Sequence, residues 1–95
     1  SMPPCVVEFI KRFAEDVRGL PPKKRCEVET VLQRLSQTFG QPHLQGGLGI
    51  RRLKRNYFEC RVGRDRRMVF RLDGSVLTMT RTGNHEDVRR FLKGI

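Results

Sequence analysis

The apolar residues of this 95-residue chain change their spacing once, and that change divides the fold in two. From Pro22 to Phe39 they fall at Val28, Val31, Leu32, Leu35 and Phe39, the i, i+3, i+4, i+7 pattern of one buried helical face. The stretch from Gln41 to Gly49 holds three glycines and a proline and reads as loop. Beyond it the period falls to two. Ile50 to Lys54, Tyr57 to Val62, Arg67 to Leu72 and Val76 to Thr82 read as strands, with Asp73-Gly74 a hairpin signal between the last two and a weaker turn at Gly63 to Asp65.

The flanks complete the pattern. Cys5 to Ile10 is short and β-rich, a first strand. Phe13, Val17 and Leu20 are spaced for a short helix ended by Gly19 and Pro21, and Pro22 stands where a first-turn proline opens the next helix. Gly83 and Asn84 stop the last strand, and Val88, Phe91 and Leu92 give His85 to Leu92 the spacing of a closing helix. The expected class is α+β: an N-terminal strand, an antiparallel helical hairpin on one face of a small antiparallel sheet of three to four further strands, and a short C-terminal helix. Residues 2–95 read as a single domain with one core.

Charge points to the partner. The formal net charge is +10, with 20 Lys and Arg against 10 Asp and Glu. Nine basic residues crowd Ile50 to Arg71: Arg51, Arg52, Lys54, Arg55, Arg61, Arg64, Arg66, Arg67 and Arg71. A disordered basic tail would be polar throughout. Here Tyr57, Phe58, Val62, Met68, Val69 and Phe70 are threaded between the cations, so the expected product is a folded basic surface. Nucleic acid is its leading ligand, ahead of an acidic protein or an anionic membrane face. Cys5, Cys26 and Cys60 form no CxxC pair and leave one thiol over under any bridging scheme, against a disulfide framework or a zinc site. No metal or cofactor is expected. No run is apolar enough to span a bilayer and no signal peptide is visible, so a cytoplasmic protein without a membrane partner is expected.

Three words of the sequence carry a resemblance. They are VRGLPP (Val17 to Pro22), IRRLKRNYFECRVGRDRRMVFRLDGSVL (Ile50 to Leu77) and TGNHEDVRRFL (Thr82 to Leu92). With this order of elements, the chain resembles the RelE/ParE superfamily of bacterial type II toxins from Val6 to Leu92. The resemblance implies either a ribosome-dependent mRNA endonuclease or a gyrase inhibitor, each silenced by a partner antitoxin. A catalytically impaired basic domain that binds RNA or an antitoxin is the third reading. Fold alone does not separate these.

Metal-independent RNA cleavage needs three things: a proton removed from the 2′-hydroxyl, the charge on phosphorus stabilised, and the 5′-oxygen protonated. The resemblance places Arg67 at the scissile phosphate, a role its planar, permanently charged fork suits; a solvent-facing arginine or an ion pair with Asp65 is the plain alternative. His85 stands where RNase members carry a His or Arg near the phosphate, and histidine is a residue type suited to proton transfer; a cap or packing role is its alternative. Arg61 alternates with Glu59 on one strand face, so it is either a salt bridge or a phosphate contact. Lys54 closes a family word and is expected to join Arg67 and His85 in the reaction; it also leads the cluster Arg51, Arg52, Lys54 and Arg55, which alternation divides between two faces. Arg64 and Arg66 complete the expected nucleic-acid surface, and Tyr57 and Phe58 either stack a base or pack. His43 reads as incidental, and Glu86 and Asp87 as helix-capping acids. A gapless comparison puts Phe58 and Cys60 where lysine-rich RNase members have catalytic lysines, and no tyrosine is available in the last helix. The implied partners are the ribosome and mRNA, with DNA gyrase as the alternative, and an acidic antitoxin that covers the basic face.

Overall fold

The structure, a computed structural model, describes residues 6–95 apart from the side chain of Pro42. Cys5, the expected start of the first strand, lies outside the described residues. The chain runs β1 (Val6–Phe9), α1 (Lys11–Arg18), α2 (Pro22–Thr38), a 3₁₀ turn (Pro42–Leu44), β2 (Arg51–Lys54), β3 (Tyr57–Val62), β4 (Arg66–Asp73), β5 (Val76–Gly83) and α3 (His85–Lys93). Pro22 opens α2, where its missing N–H has no helical acceptor to lose. Helix α1 starts two residues earlier than the apolar spacing suggests, because Ile10 is already extended and turns the chain straight into it.

The five strands form one sheet in the order β1-β5-β4-β3-β2. The four later strands are antiparallel, as expected. β1 adds to them parallel to β5, from Val6 opposite Val76 to Phe9 opposite Met79, so the whole sheet is mixed. Its partner arrives some 70 residues later, after a helical hairpin and three strands, and no local turn constrains their relative direction.

The main core lies between the helical hairpin and one sheet face. Phe13, Leu20, Val28 and Leu35 from the helical segment meet Cys60, Val62, Met68, Phe70, Leu77 and Met79 from the strands. Phe58 stacks on its cross-strand partner Phe70 with ring centroids 5.7 Å apart, and Phe39 of the α2 C-terminus sets its edge against both. Such pairs contribute about 0.5–1.5 kcal/mol beyond the area they bury. The glycine loop is not a bystander: Leu48 is buried in this core, and its carbonyl accepts from the Arg61 N–H at 2.6 Å.

Helix α3 covers the other face. Val69, which alternates with Met68 and Phe70 on β4, is buried outside the main core, as is Val88 of α3. The Tyr57 and Phe91 rings meet edge-on at 6.0 Å. The sheet therefore sits between two unequal layers, and the smaller one leaves part of its face open.

Candidate functional site

The open part of that face carries the charge. Along β3, Tyr57, Glu59 and Arg61 alternate with Phe58, Cys60 and Val62. The register sets Arg61 directly opposite Arg67, Glu59 opposite Val69, and Tyr57 opposite Arg71. On the other side of β3, Arg51 of β2 is opposite Glu59 and Lys54 opposite Tyr57. Arg51, Lys54, Tyr57, Arg61 and Arg67 thus share one surface. Arg52, opposite Phe58, and Arg66, opposite the buried Val62, belong to the helical side. Arg55 and Arg64 occupy turns, Arg55 with a left-handed φ of 53°. The expected division of the basic cluster is present, and it extends across three strands.

Glu59 is the residue that sequence reasoning undervalued. Its side chain is only 2% exposed, yet it lies within a basic surface. Its Oε2 accepts from Arg67 Nη1 at 2.8 Å and pairs with Arg51 Nη2 at 3.2 Å. The two arginines are on the strands flanking Glu59, Arg51 directly across and Arg67 on the diagonal, a reach that cross-strand neighbours have. Neither pairing proposed from the linear sequence is the one formed. Asp65 instead approaches Lys24 at 3.7 Å, and Arg61 makes no ion pair or side-chain hydrogen bond among the described residues. The only advance signal was an acid alternating with Arg61 on one strand inside a basic run.

Arg61 and Arg67 stand side by side, with Cα atoms about 4.5–5.5 Å apart as in any directly opposed antiparallel pair. Like charges so placed destabilise a sheet. Arg61 rests over Gly49, whose φ is 60°; a Cβ there would come within 3.4–3.5 Å of the guanidinium and its own Cβ. The loop glycine thus gives Arg61 its bed.

His85 enters at the same end. Arg67 is opposite Gly83, the last residue of β5, and His85 begins α3 two residues later. Asn84 caps the helix: its side chain accepts from the Asp87 N–H at 2.9 Å, and Asp87 Oδ2 accepts from the Asn84 N–H at 2.8 Å. This reciprocal box satisfies two orphan donors and presses Asp87 onto Gly83, where any Cβ would be 2.6 Å from the Asp87 side chain. Capping thus falls to Asn84 and Asp87, Glu86 pairs with Arg89, and the exposed His85 imidazole makes no side-chain bond among the described residues.

Not every expected residue converges here. Lys54 is at the Tyr57 end of the face, four β3 residues from Arg61, or about 13 Å at the usual strand rise. Its ammonium donates to the carbonyl of Ile95, beyond α3. Tyr57 packs on Phe91. Phe58 and Cys60 face the main core, so lysines at these positions would point away from the site. Burial first, and the Glu59 charge second, push the Cys60 thiol up to about 12, which leaves it protonated and unsuited to metal binding or nucleophilic attack. Cys26 is exposed on α2. Among the described residues no group of three His, Cys, Asp or Glu side chains is placed to hold a metal ion, and no helix is long and apolar enough to cross a membrane.

No protein-family model matches the sequence, and no curated protein sequence does either. The fold does have counterparts. The chain is similar to one in the RelB–RelE antitoxin–toxin complex from Methanococcus jannaschii, with TM-score 0.67 and 20% identity over 88% of this chain and 96% of that one. It is similar to one in the E. coli DinJ–YafQ toxin–antitoxin complex, with TM-score 0.67 and 20% identity over 86% and 93%. A third likeness is to the archaeal RelE–RelB complex from Pyrococcus horikoshii OT3, with TM-score 0.68 and 14% identity over 84% and 93%. The chain has a RelE-like fold. The resemblance read from its sequence therefore holds at the level of architecture, with a strand, helices, a five-stranded mixed sheet and a C-terminal helix.

Proposed function

We propose that this protein is the toxin of a type II toxin–antitoxin pair and acts as a ribosome-dependent, metal-independent mRNA endonuclease. One observation carries the chemistry: Arg61 and Arg67 oppose each other on an open sheet face, beside the helix that His85 begins. A like-charge pair that weakens the free sheet becomes favourable once a phosphate lies across it. In this reading the 2′-oxygen attacks phosphorus as its proton passes to a solvent water, and the bond from phosphorus to the 5′-oxygen breaks. The Arg67 and Arg61 forks hold the charge that gathers on the phosphoryl oxygens, and the 5′-oxygen departs with a proton from His85. The products are a 2′,3′-cyclic phosphate and a 5′-hydroxyl. Removing one well-aimed donor of this kind costs a factor of about 10²–10³. Arg51 and Lys54 extend the basic face along the same side and would dock the RNA backbone.

The neighbours' complexes support an antitoxin partner for this chain too. The surface has a second feature suited to one. Between β1 and the helices lies an apolar groove of about 300 Å³, floored by Phe9, Phe13, Val17, Val28 and Leu32, with Arg18 and Arg25 among its lining residues. Phe9 is 61% exposed on the edge strand. An amphipathic segment with acidic flanks would bury that apolar surface and meet the arginines.

The test is cleavage of one mRNA with and without translating ribosomes, with 5′ ends mapped by primer extension. Cuts at defined codon positions only with ribosomes are expected, and the Arg67→Ala variant should make none. Growth arrest without any cuts would overturn the endonuclease reading in favour of a binding target such as DNA gyrase.

A further inference from the structure

A carboxylate removed from water inside a basic surface is expensive, and an apolar residue of similar size serves stability as well or better. Glu59 nevertheless occupies the centre of the site face, beneath two guanidiniums that share its Oε2. Arg67 is 28% exposed and Arg51 65%, so both reach solvent from a common anchor. A guanidinium has five N–H donors in a rigid fork. Arg67 gives one to Glu59, and the remainder are available to an oxyanion. Arg61, directly opposite, has no such tether.

We infer that Glu59 is a positioning residue: its buried carboxylate fixes Arg67 in the orientation that receives the scissile phosphate, and holds Arg51 beside it for the RNA backbone. The inference rests on the endonuclease reading for its consequence but not for its geometry. The contact restricts a flexible side chain before substrate arrives, so less rotamer freedom remains to be lost in the reaction. Arg67 and Arg51 reach the same Glu59 oxygen from the two strands flanking β3, which leaves the other donors of Arg67 for the phosphate and those of Arg51 for the adjoining RNA backbone. Electrostatics alone predicts no loss of function: removing Glu59 raises the net positive charge and should strengthen RNA binding, whereas lost positioning slows cleavage. Positioning and charge are thereby separable.

The experiment compares the full chain with its Glu59→Gln variant in three ways. Arginine side-chain ¹⁵N NMR reads the order of the Arg51 and Arg67 guanidiniums, fluorescence anisotropy reads affinity for a 2′-O-methyl RNA that cannot be cut, and single-turnover kinetics reads cleavage on ribosomes. The expected result is loss of guanidinium order at Arg67 and Arg51, unchanged or tighter RNA binding, and cleavage slowed about 10- to 100-fold, within the range for a misaimed charge-stabilising donor. Unchanged Arg67 order would overturn the inference. So would a cleavage loss that only tracks a loss of folded protein in the melting curve. If the wild-type chain cuts no RNA, the endonuclease reading fails, and the NMR comparison still decides whether Glu59 orders the two arginines. Glu59→Met, which needs no hydrogen-bond partner, supplies the same readouts if the glutamine variant does not fold.

Discussion

The two faces of the β3–β4 ribbon are made of neighbouring residues and have opposite chemistry. On one side Phe58, Cys60, Met68 and Phe70 pack beneath the helical hairpin; on the other, Tyr57, Glu59, Arg61, Arg67 and Arg71 line the partly open surface beside α3. The packed face holds its strands in register by shape. The charged face depends on that register, because a slip of one residue would send Arg61, Arg67 and Arg71 into the core and Phe58 and Phe70 out of it. Stability and site are therefore two readings of one alternation, and each change below is aimed at one face.

The largest effect should come from exchanging chemistry between faces. Lysine at Cys60, the position suggested by gapless comparison with lysine-rich RNases, would bury an unpaired ammonium and cost about 3–5 kcal/mol. Urea unfolding should show Cys60→Lys largely unfolded without denaturant. A stable variant would mean that this strand face is not core.

Next is the response of the same face to alkali. The buried Cys60 thiol keeps its proton to about 12, whereas an unfolded thiol loses it near 9.0. The unfolded chain thus releases a proton that the folded chain retains, and stability present below pH 9 falls by up to about 1.4 kcal/mol per pH unit until pH 12. Between pH 8 and 11 the melting temperature of the wild type should fall relative to that of Cys60→Val, which lacks the slope. Parallel curves would show that the thiol is accessible to solvent.

On the charged face the effects on stability are smaller and those on function larger. Arg67→Ala removes one of two partners of a buried carboxylate and should cost about 1–3 kcal/mol in urea unfolding, while abolishing growth arrest. A variant that remains folded and fully toxic would sink the proposed site. Arg61→Gln relieves the opposed cations at no loss of a partner, so the change in stability should stay within about 0.5 kcal/mol. In the same variant the slope of RNA affinity against salt should fall by about one phosphate contact. A marked loss of stability there would turn Arg61 into a structural residue.

Much of this was legible in the chain. Val28, Val31, Leu32, Leu35 and Phe39 announced the buried face of α2 because helical periodicity is local, and Pro22 marked its start because a proline's missing N–H matters least there. The alternation of Tyr57 to Val62 announced a two-sided strand for the same reason. The partners of charged residues were not legible. Asp65 and Arg61 were the nearest candidates along the chain for Arg67 and Glu59 respectively, but β-pairing joined Glu59 instead to Arg51 on one flank and Arg67 on the other. The distance of Lys54 from Arg67 had the same origin, for a shared word in sequence says nothing of where along a face each residue falls.

The sequence by itself determined which elements form, which residues of each are apolar, and that the basic residues would sit on a folded surface. All of these follow from backbone periodicity and from short-range signals that act within a few residues. Only the tertiary structure decided that β1 joins β5 in parallel, that α3 closes the face opposite the helical hairpin, and that Glu59 gathers two arginines while Arg61 is left without an ion-pair partner among the described residues. Those outcomes depend on register between segments brought together from across the chain, where burial across the whole sheet, and no local preference, selects the pairing.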